Sequence, residues 1–142
     1  MIVTRDIHLR TQGHTTVEDI TRMVEEVVGE SGLAAGIVTL FCPGSTAGLT
    51  TIEYEDGVIS DLQRVLDEIA PPGRAYRHHL RWGDDNGSAH IRAALIGPSL
   101  TVPFVESRLI LGTWQQIVFL DFDTSPRSRR IVVQVIGEQA LE

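Results

Sequence analysis

At 142 residues and 42% hydrophobic content, the chain has the size of one ordinary domain whose core needs no staples, and its single cysteine, Cys42, excludes an internal disulfide framework. A formal net charge of −7 with a pI near 5.1 argues against a nucleic-acid footprint, which needs a basic face. All 12 basic residues are arginine, which removes lysine Schiff-base chemistry and the phosphate-loop lysine and leaves arginine as the only strongly basic side chain to hold a phosphate.

In chain order, residues 2–10 carry Val3, Ile7 and Leu9 among polar residues and suit a first strand. Thr15 and Glu18 have capping-box spacing, and Val17, Ile20, Val24, Val27 and Val28 then recur at helical intervals until Gly29 and Gly32, predicting a first helix. Leu33–Cys42 and Leu49–Tyr54 read as strands. Val58, Ile59, Leu62, Val65, Leu66 and Ile69 make the stripe of a second helix, stopped at Pro71-Pro72-Gly73. Residues 74–89 form a polar loop, and a short helix is expected over Ala89–Ile96 with Ser88 as its cap and Gly97 at its end. Leu100–Val105, Arg108–Leu111, Trp114–Phe122 and Arg130–Ile136 are rich in β-branched and aromatic residues, with turns at Glu106-Ser107 and Asp123–Pro126. The expected fold is therefore α+β, a single domain over residues 1–142. A mixed or antiparallel sheet would carry two longer helices and one short one.

The loop "YRHHLRWGDDNGSAH", residues 76–90, holds three of the five histidines. His78 and His79 are neighbours, so in an extended segment only one of them can share a site with His90. The interval from 78 to 90 matches no metal signature, and Asp84, Asp85, Asn86 and Gly87 are also the residues that any tight turn prefers. A helix start near Ser88 would direct free amides outward as an anion site, with Asn86, Gly87 and Ser88 around it and His90 in the first turn. His78 and His90 would favour Zn²⁺, whereas Asp84 or Asp85 would favour Mg²⁺. Among the arginines, Arg108 is the favoured phosphate ligand. Arg127, Arg129 and Arg130 fit a solvated face equally well. No apolar run approaches the roughly 18–20 residues of a membrane span, and no secretory apolar segment follows Met1, so a cytoplasmic protein is expected.

The stretch "GPSLTVPFVESRLILGTWQQIVFLDFD", together with Tyr76, His78, the Asn86–His90 run and Arg129-Arg130, resembles the YjbQ-like family, also called secondary thiamine-phosphate synthase enzymes. The likeness runs through nearly the whole chain and is strongest from 76 to 137. It implies an α+β half-barrel domain, a homotrimer, and a weak condensation of hydroxymethylpyrimidine diphosphate with a thiazole phosphate. Residue by residue, the family's recurrent histidines fall on His78 and His90, its acidic residue on Glu53, and its tryptophan-glutamine pair on Trp114-Gln115, after Thr113. Family members commonly carry a further histidine before a Thr-rich or Ser-rich stretch. This chain reads Pro43-Gly44-Ser45-Thr46 there, leaving Ser45 or Thr46 to hold a phosphate oxygen. The implied chemistry is loss of diphosphate with attack by the thiazole nitrogen, which asks the protein for positioning and charge stabilisation, with Glu53 and His90 as the catalytic candidates. Two other functions stay open. One is a metal-dependent hydrolase using the same histidines and Glu53, and the other is a non-enzymatic trimer that binds a phosphorylated metabolite.

Overall fold

The computed structural model describes residues 1–141. Its elements are β1 (Ile2–Thr11), β2 (Thr16–Asp19), α1 (Thr21–Glu30), β3 (Ala35–Phe41), β4 (Ala47–Ile52), α2 (Asp56–Ile69), α3 (Arg77–Trp82), α4 (Gly87–Ile96), β5 (Ser99–Val105), β6 (Arg108–Leu109), β7 (Gln116–Asp121) and β8 (Arg127–Glu138). The strands form a five-stranded sheet in the order β1-β8-β3-β5-β6 and a three-stranded sheet in the order β2-β7-β4, and every pairing is antiparallel. The architecture is the expected single α+β domain with a curled, half-barrel sheet.

The small sheet is the middle layer. Ile117 and Phe119 of β7 face the large sheet and α1, where they join Ile20, Val24, Val38, Leu40 and Val133 in the main core. Val118, Leu120 and Phe122 point the other way, into a second core with Leu66 of α2 and Ala89 and Ala93 of α4. Covered on both faces, β7 reads as a continuous apolar run instead of an alternation. Each fully buried large side chain here contributes roughly 1.5–3 kcal/mol of transfer free energy. A two-residue hairpin joins β5 to β6 through Glu106 and Ser107, at φ 54° and 60°, the twist that suits paired antiparallel strands.

Three local expectations are corrected. The Thr15/Glu18 capping box does not form. Thr16–Asp19 is instead strand β2, paired with β7, and α1 starts at Thr21, whose amide and hydroxyl both donate to Asp19 Oδ1 at 3.0 and 2.7 Å. The polar loop contains a further helix, α3, so His78 and His79 lie on a helix and not on an extended segment. Helix α4 begins at Gly87 with Asn86 as its N-cap, and Ser88 is inside it, buried. Its expected end holds, with Gly97 at φ 94°. No helix among the described residues is long and apolar enough to cross a membrane.

Candidate functional site

Helices α3 and α4 bring His78 and His90 together, their ring centroids 4.5 Å apart. The close approach depends on Gly87, where a Cβ would lie 2.6 Å from Cβ of Tyr76, the N-cap of α3. Tyr76 is itself tied down by its hydroxyl, which donates to the Pro71 carbonyl at 2.7 Å. His90 Nδ1 stands 3.0 Å from the Ser45 carbonyl, so the neutral ring carries its proton on Nδ1 and leaves the Nε2 lone pair for a ligand. Asp84 Oδ1 lies 3.0 Å from His78 Nδ1 but out of line for a hydrogen bond, so that buried nitrogen has no partner. His79 does not join the pair. Its Nε2 lies 3.1 Å from Asp85, again without a hydrogen bond, and its ring tilts against Tyr76. Beside His90 is a cavity of about 270 Å³ lined by Gly44, Ser45, Ala47, Ala93 and Pro98 among others.

Behind Gly44 is a buried charge network that the sequence did not disclose. Arg129 grips Asp121 with two bonds, Nε to Oδ2 at 2.6 Å and Nη2 to Oδ1 at 2.9 Å, and Nη2 also donates to the Thr46 hydroxyl at 2.7 Å. Thr46 donates to Asp123 Oδ2 at 3.0 Å, and Arg127 pairs with the same carboxylate at 3.2 Å. Asn86 joins the network to α4, its amide donating to Asp123 and its carbonyl accepting from the Thr124 amide and hydroxyl. Burial pushes the Asp121 carboxyl up, but bonds from Arg129, Thr11 and the Asp123 amide together outweigh it and hold the group below the ordinary carboxylate range. Asp123 is held low in the same way, against its own burial, by the Ser125 amide, Thr46 and Arg127. Burial raises the Cys42 thiol, so this cysteine is not an activated nucleophile. Arg129 Nη1 makes none of these bonds and lies 3.3 Å from where a Cβ at Gly44 would stand.

The remaining candidates stand elsewhere. Ala47 pairs with Asp121 and Ile52 with Gln116, so the β4–β7 ladder runs five steps, about 17 Å, away from the histidines before reaching Glu53. Glu53 is exposed beyond the end of β4, and Glu55 caps α2 by accepting from the Gly57 and Val58 amides. Gln115 braces that end, accepting from the Gly112 amide and donating to Thr51, both at 3.0 Å, while Thr113 is exposed and Trp114 is 73% exposed. Arg108 is exposed at the β6 edge. It pairs with Val105, whose strand β5 spans six steps, about 20 Å, from Ser99 near the histidine end. The structure thus groups His78, His90, Asp84, Ser45, Thr46, Asn86 and Gly87 at one end, and Glu53, Thr113, Trp114 and Gln115 at the other. Among the described residues, no three His, Cys, Asp or Glu side chains converge as a metal-holding group.

Helix α4 separates a second, larger cleft of about 720 Å³ from the first. Ser88 and Arg92, four residues apart and on one helix face, line it, whereas His90 faces the small cavity. Arg92 is 3% exposed and donates to the Ala70 carbonyl at 3.0 Å, the Thr15 hydroxyl at 2.7 Å and Asp67 at 2.8 Å. The histidine pairing was accessible from the order of motifs, but buried arginines look like any surface arginine in a sequence.

Comparison with known proteins agrees along the whole chain. The model of the family described as UPF0047 protein YjbQ-like matches residues 5–138. A UPF0047 protein of Methanothermobacter thermautotrophicus is 38% identical over 137 residues, covering 96% of this chain and 94% of its own. The YugU protein of Bacillus subtilis is 36% identical, covering 94% and 98%. A crystal structure of a YbjQ-like protein of unknown function from Sulfolobus solfataricus superposes with a TM-score of 0.92 at 34% identity, covering 97% of this chain and 99% of that one. This chain belongs to the YjbQ/UPF0047 family.

Proposed function

We propose that this protein is a cytoplasmic homotrimer that binds a phosphorylated small molecule at the His78–His90 end, with thiamine-phosphate-synthase-type condensation reduced or absent. The observation that carries the reading is the pair of imidazoles 4.5 Å apart beside an open cavity at Gly44. When His90 is protonated, Nδ1 stays on the Ser45 carbonyl and Nε2 becomes a donor to a phosphate oxygen. Ser45 flanks the cavity, and Arg129 Nη1, which its bonds to Asp121 and Thr46 do not use, leaves free N–H donors behind Gly44. The start of α4 adds the favourable end of its dipole.

The condensation implied by the family resemblance needs neutralisation of a diphosphate leaving group and alignment of two substrates. This chain has two imidazoles where the resemblance expects three, and a glycine in place of the third, which supports binding more strongly than turnover. Glu53 stands at the far end of the ladder within one chain, which supports binding at the histidines without it. The outer face of the large sheet supports assembly, since Ile2, Ile136 and Ile37 form one cross-strand row that is 40–64% exposed.

The second reading is a metal-dependent hydrolase, favoured by the Nε2 lone pair that neutral His90 presents. Two imidazoles with Asp84 beside one of them could hold Zn²⁺ only with water or substrate completing the shell. Titration with inorganic phosphate followed by ³¹P NMR separates the two. Saturable phosphate binding without added metal is the expected result. Binding that appears only with added Zn²⁺ and strengthens as pH rises would replace the first reading by the second.

A further inference from the structure

We infer that the 720 Å³ cleft on the far side of α4 is a second ligand site, built for a small zwitterion of the α-amino-acid class. Its volume falls within the usual range for small-molecule sites. Its floor is made of donors. The Ser88 hydroxyl belongs to a residue only 3% exposed, lines the cleft and has no hydrogen-bond partner among the described residues. The oxygen is not among the buried side-chain atoms left without a partner, so it is reached from the cleft and is free to donate to a ligand there. Arg92 lines the same floor. Three of its five N–H groups are bound to Ala70, Thr15 and Asp67, which leaves two. The first intrahelical bond of α4 runs from the His90 amide to the Asn86 carbonyl, so the amides of Gly87, Ser88 and Ala89 precede the ladder, with the positive end of the dipole behind Ser88. A carboxylate fits these donors.

The rim is made of acceptors. Asp67 is 64% exposed at its side chain and Asp85 87%, and both line the cleft. Asp67 already neutralises Arg92, so the lining is net negative once Asp85 is counted. A phosphate ester seated on the floor would stand against two carboxylates with no unpaired cation to offset them. A ligand carrying its own ammonium offsets both while keeping an oxyanion for the floor. Phe122 and Pro72 supply an apolar wall for a side chain.

The backbone beside Arg92 is fixed by the same contacts. His14 and Thr15 stand at φ 54° and 61°, a region where a β-branched residue is an outlier, and Thr15 is held there by the bond from Arg92. Thr15 and Arg92 would both feel a ligand seated between them.

The test is a ¹H–¹⁵N titration of the full chain with glycine, serine, aspartate, arginine and phenylalanine separately, and with methylammonium and inorganic phosphate as controls. At least one amino acid is expected to shift the Thr15, Ser88 and Arg92 amides saturably, with a Kd at or below about 1 mM. Asp67→Asn keeps an acceptor for Arg92 and removes the carboxylate, and should weaken that binding about tenfold or more while leaving the phosphate response at His90 unchanged. Ser88→Val should do the same, with the melting temperature reporting whether the variant is folded. The inference is overturned if none of the amino acids saturates below about 10 mM. It is equally overturned if phosphate occupies the cleft and Asp67→Asn tightens it. Neither outcome bears on the His78–His90 reading, whose resonances lie across α4.

Discussion

The two ends of the β4–β7 ladder carry similar residue types to opposite effect. At the Ala47–Asp121 end, Asp121 and Asp123 are 0% and 2% exposed, their oxygens filled by arginine, threonine and backbone donors, and two histidines stand beside an open cavity. At the Ile52–Gln116 end, Glu53 and Glu55 are solvated, and the bonds of Glu55 only cap a helix. A carboxylate in water is nearly free to change, whereas one locked to a buried arginine holds structure and charge in place. The ladder therefore separates a preorganised end from an adaptable one, and substitutions at each end should differ accordingly.

The sharpest break is Asp121→Ala, which leaves Arg129 nearly buried without its partner. Removing one member of a buried pair costs about 3–5 kcal/mol, a large part of the ~5–15 kcal/mol by which a domain is stable. Urea denaturation at pH 7 should show a loss of that size. Acid sharpens the point. Because the folded carboxyls of Asp121 and Asp123 are held below their unfolded value of about 3.9, their contribution is fully present above that pH and disappears as pH falls through the folded values. Asp121→Asn should flatten the acid limb of a stability-against-pH curve measured between pH 5 and pH 2. An unchanged limb would show that the network does not carry acid sensitivity.

Next in size is His90→Ala. Losing a charge-assisted bond of about 1.5–3 kcal/mol predicts phosphate binding weaker by about 10–100-fold, with the fold retained because His90 is only partly buried. His79→Ala, on the Asp85 side of α3, should stay within about twofold. Equal losses for the two variants would remove the distinction between them.

How much of this could be read beforehand depends on where the polar groups lie. Helix α2 was legible because its exposed face and its stripe alternate at helical spacing, and β1 and β8 because each has one wet face. The start of α1 is ambiguous in the sequence because Val17 and Ile20 fit a helical period equally well, and the pairing of Thr16–Asp19 with β7, which decides it, is not a local signal. Helix α3 has a polar sequence and no buried residue, so it left no periodic trace. The pairing of His78 with His90 followed from the family motifs. Arg129 and Arg92 did not stand out, since burial of an arginine is decided by carboxylates that lie 8 and 25 residues away in sequence. Arg108, the phosphate ligand expected from the sequence, stands instead at an exposed edge.

A smaller effect is expected from restoring what the preorganised end lacks. Gly44→His places an imidazole on the cavity that His90 lines, and its Cβ meets Arg129 Nη1 at 3.3 Å, so the arginine must give by a few tenths of an ångström. A third nitrogen ligand should raise Zn²⁺ affinity at least about tenfold, read by competition with a chromogenic chelator. A modest stability loss of about 1 kcal/mol from crowding Arg129 should accompany it. If Zn²⁺ affinity does not move, the cavity beside His90 is not arranged for metal.

The smallest effect is predicted for Glu53→Gln. The side chain is exposed, stands past the end of β4, and is about 17 Å or more from the histidine end along the strand. At that distance, with solvent and salt between, its charge is beyond the ~8–10 Å screening length and cannot set the protonation of His90 or the potential at Gly44. Stability should change by less than about 0.5 kcal/mol, as for other surface substitutions, and phosphate affinity by less than about twofold. Both should hold at high protein concentration as well as in dilute samples. Should phosphate affinity fall only where the protein is assembled, Glu53 reaches the histidines of an adjacent copy, and the adaptable end of one chain completes the preorganised end of the next. Should it fall equally in dilute, dissociated protein, the separation of the two ends along the ladder does not govern binding, and the comparison fails at its base.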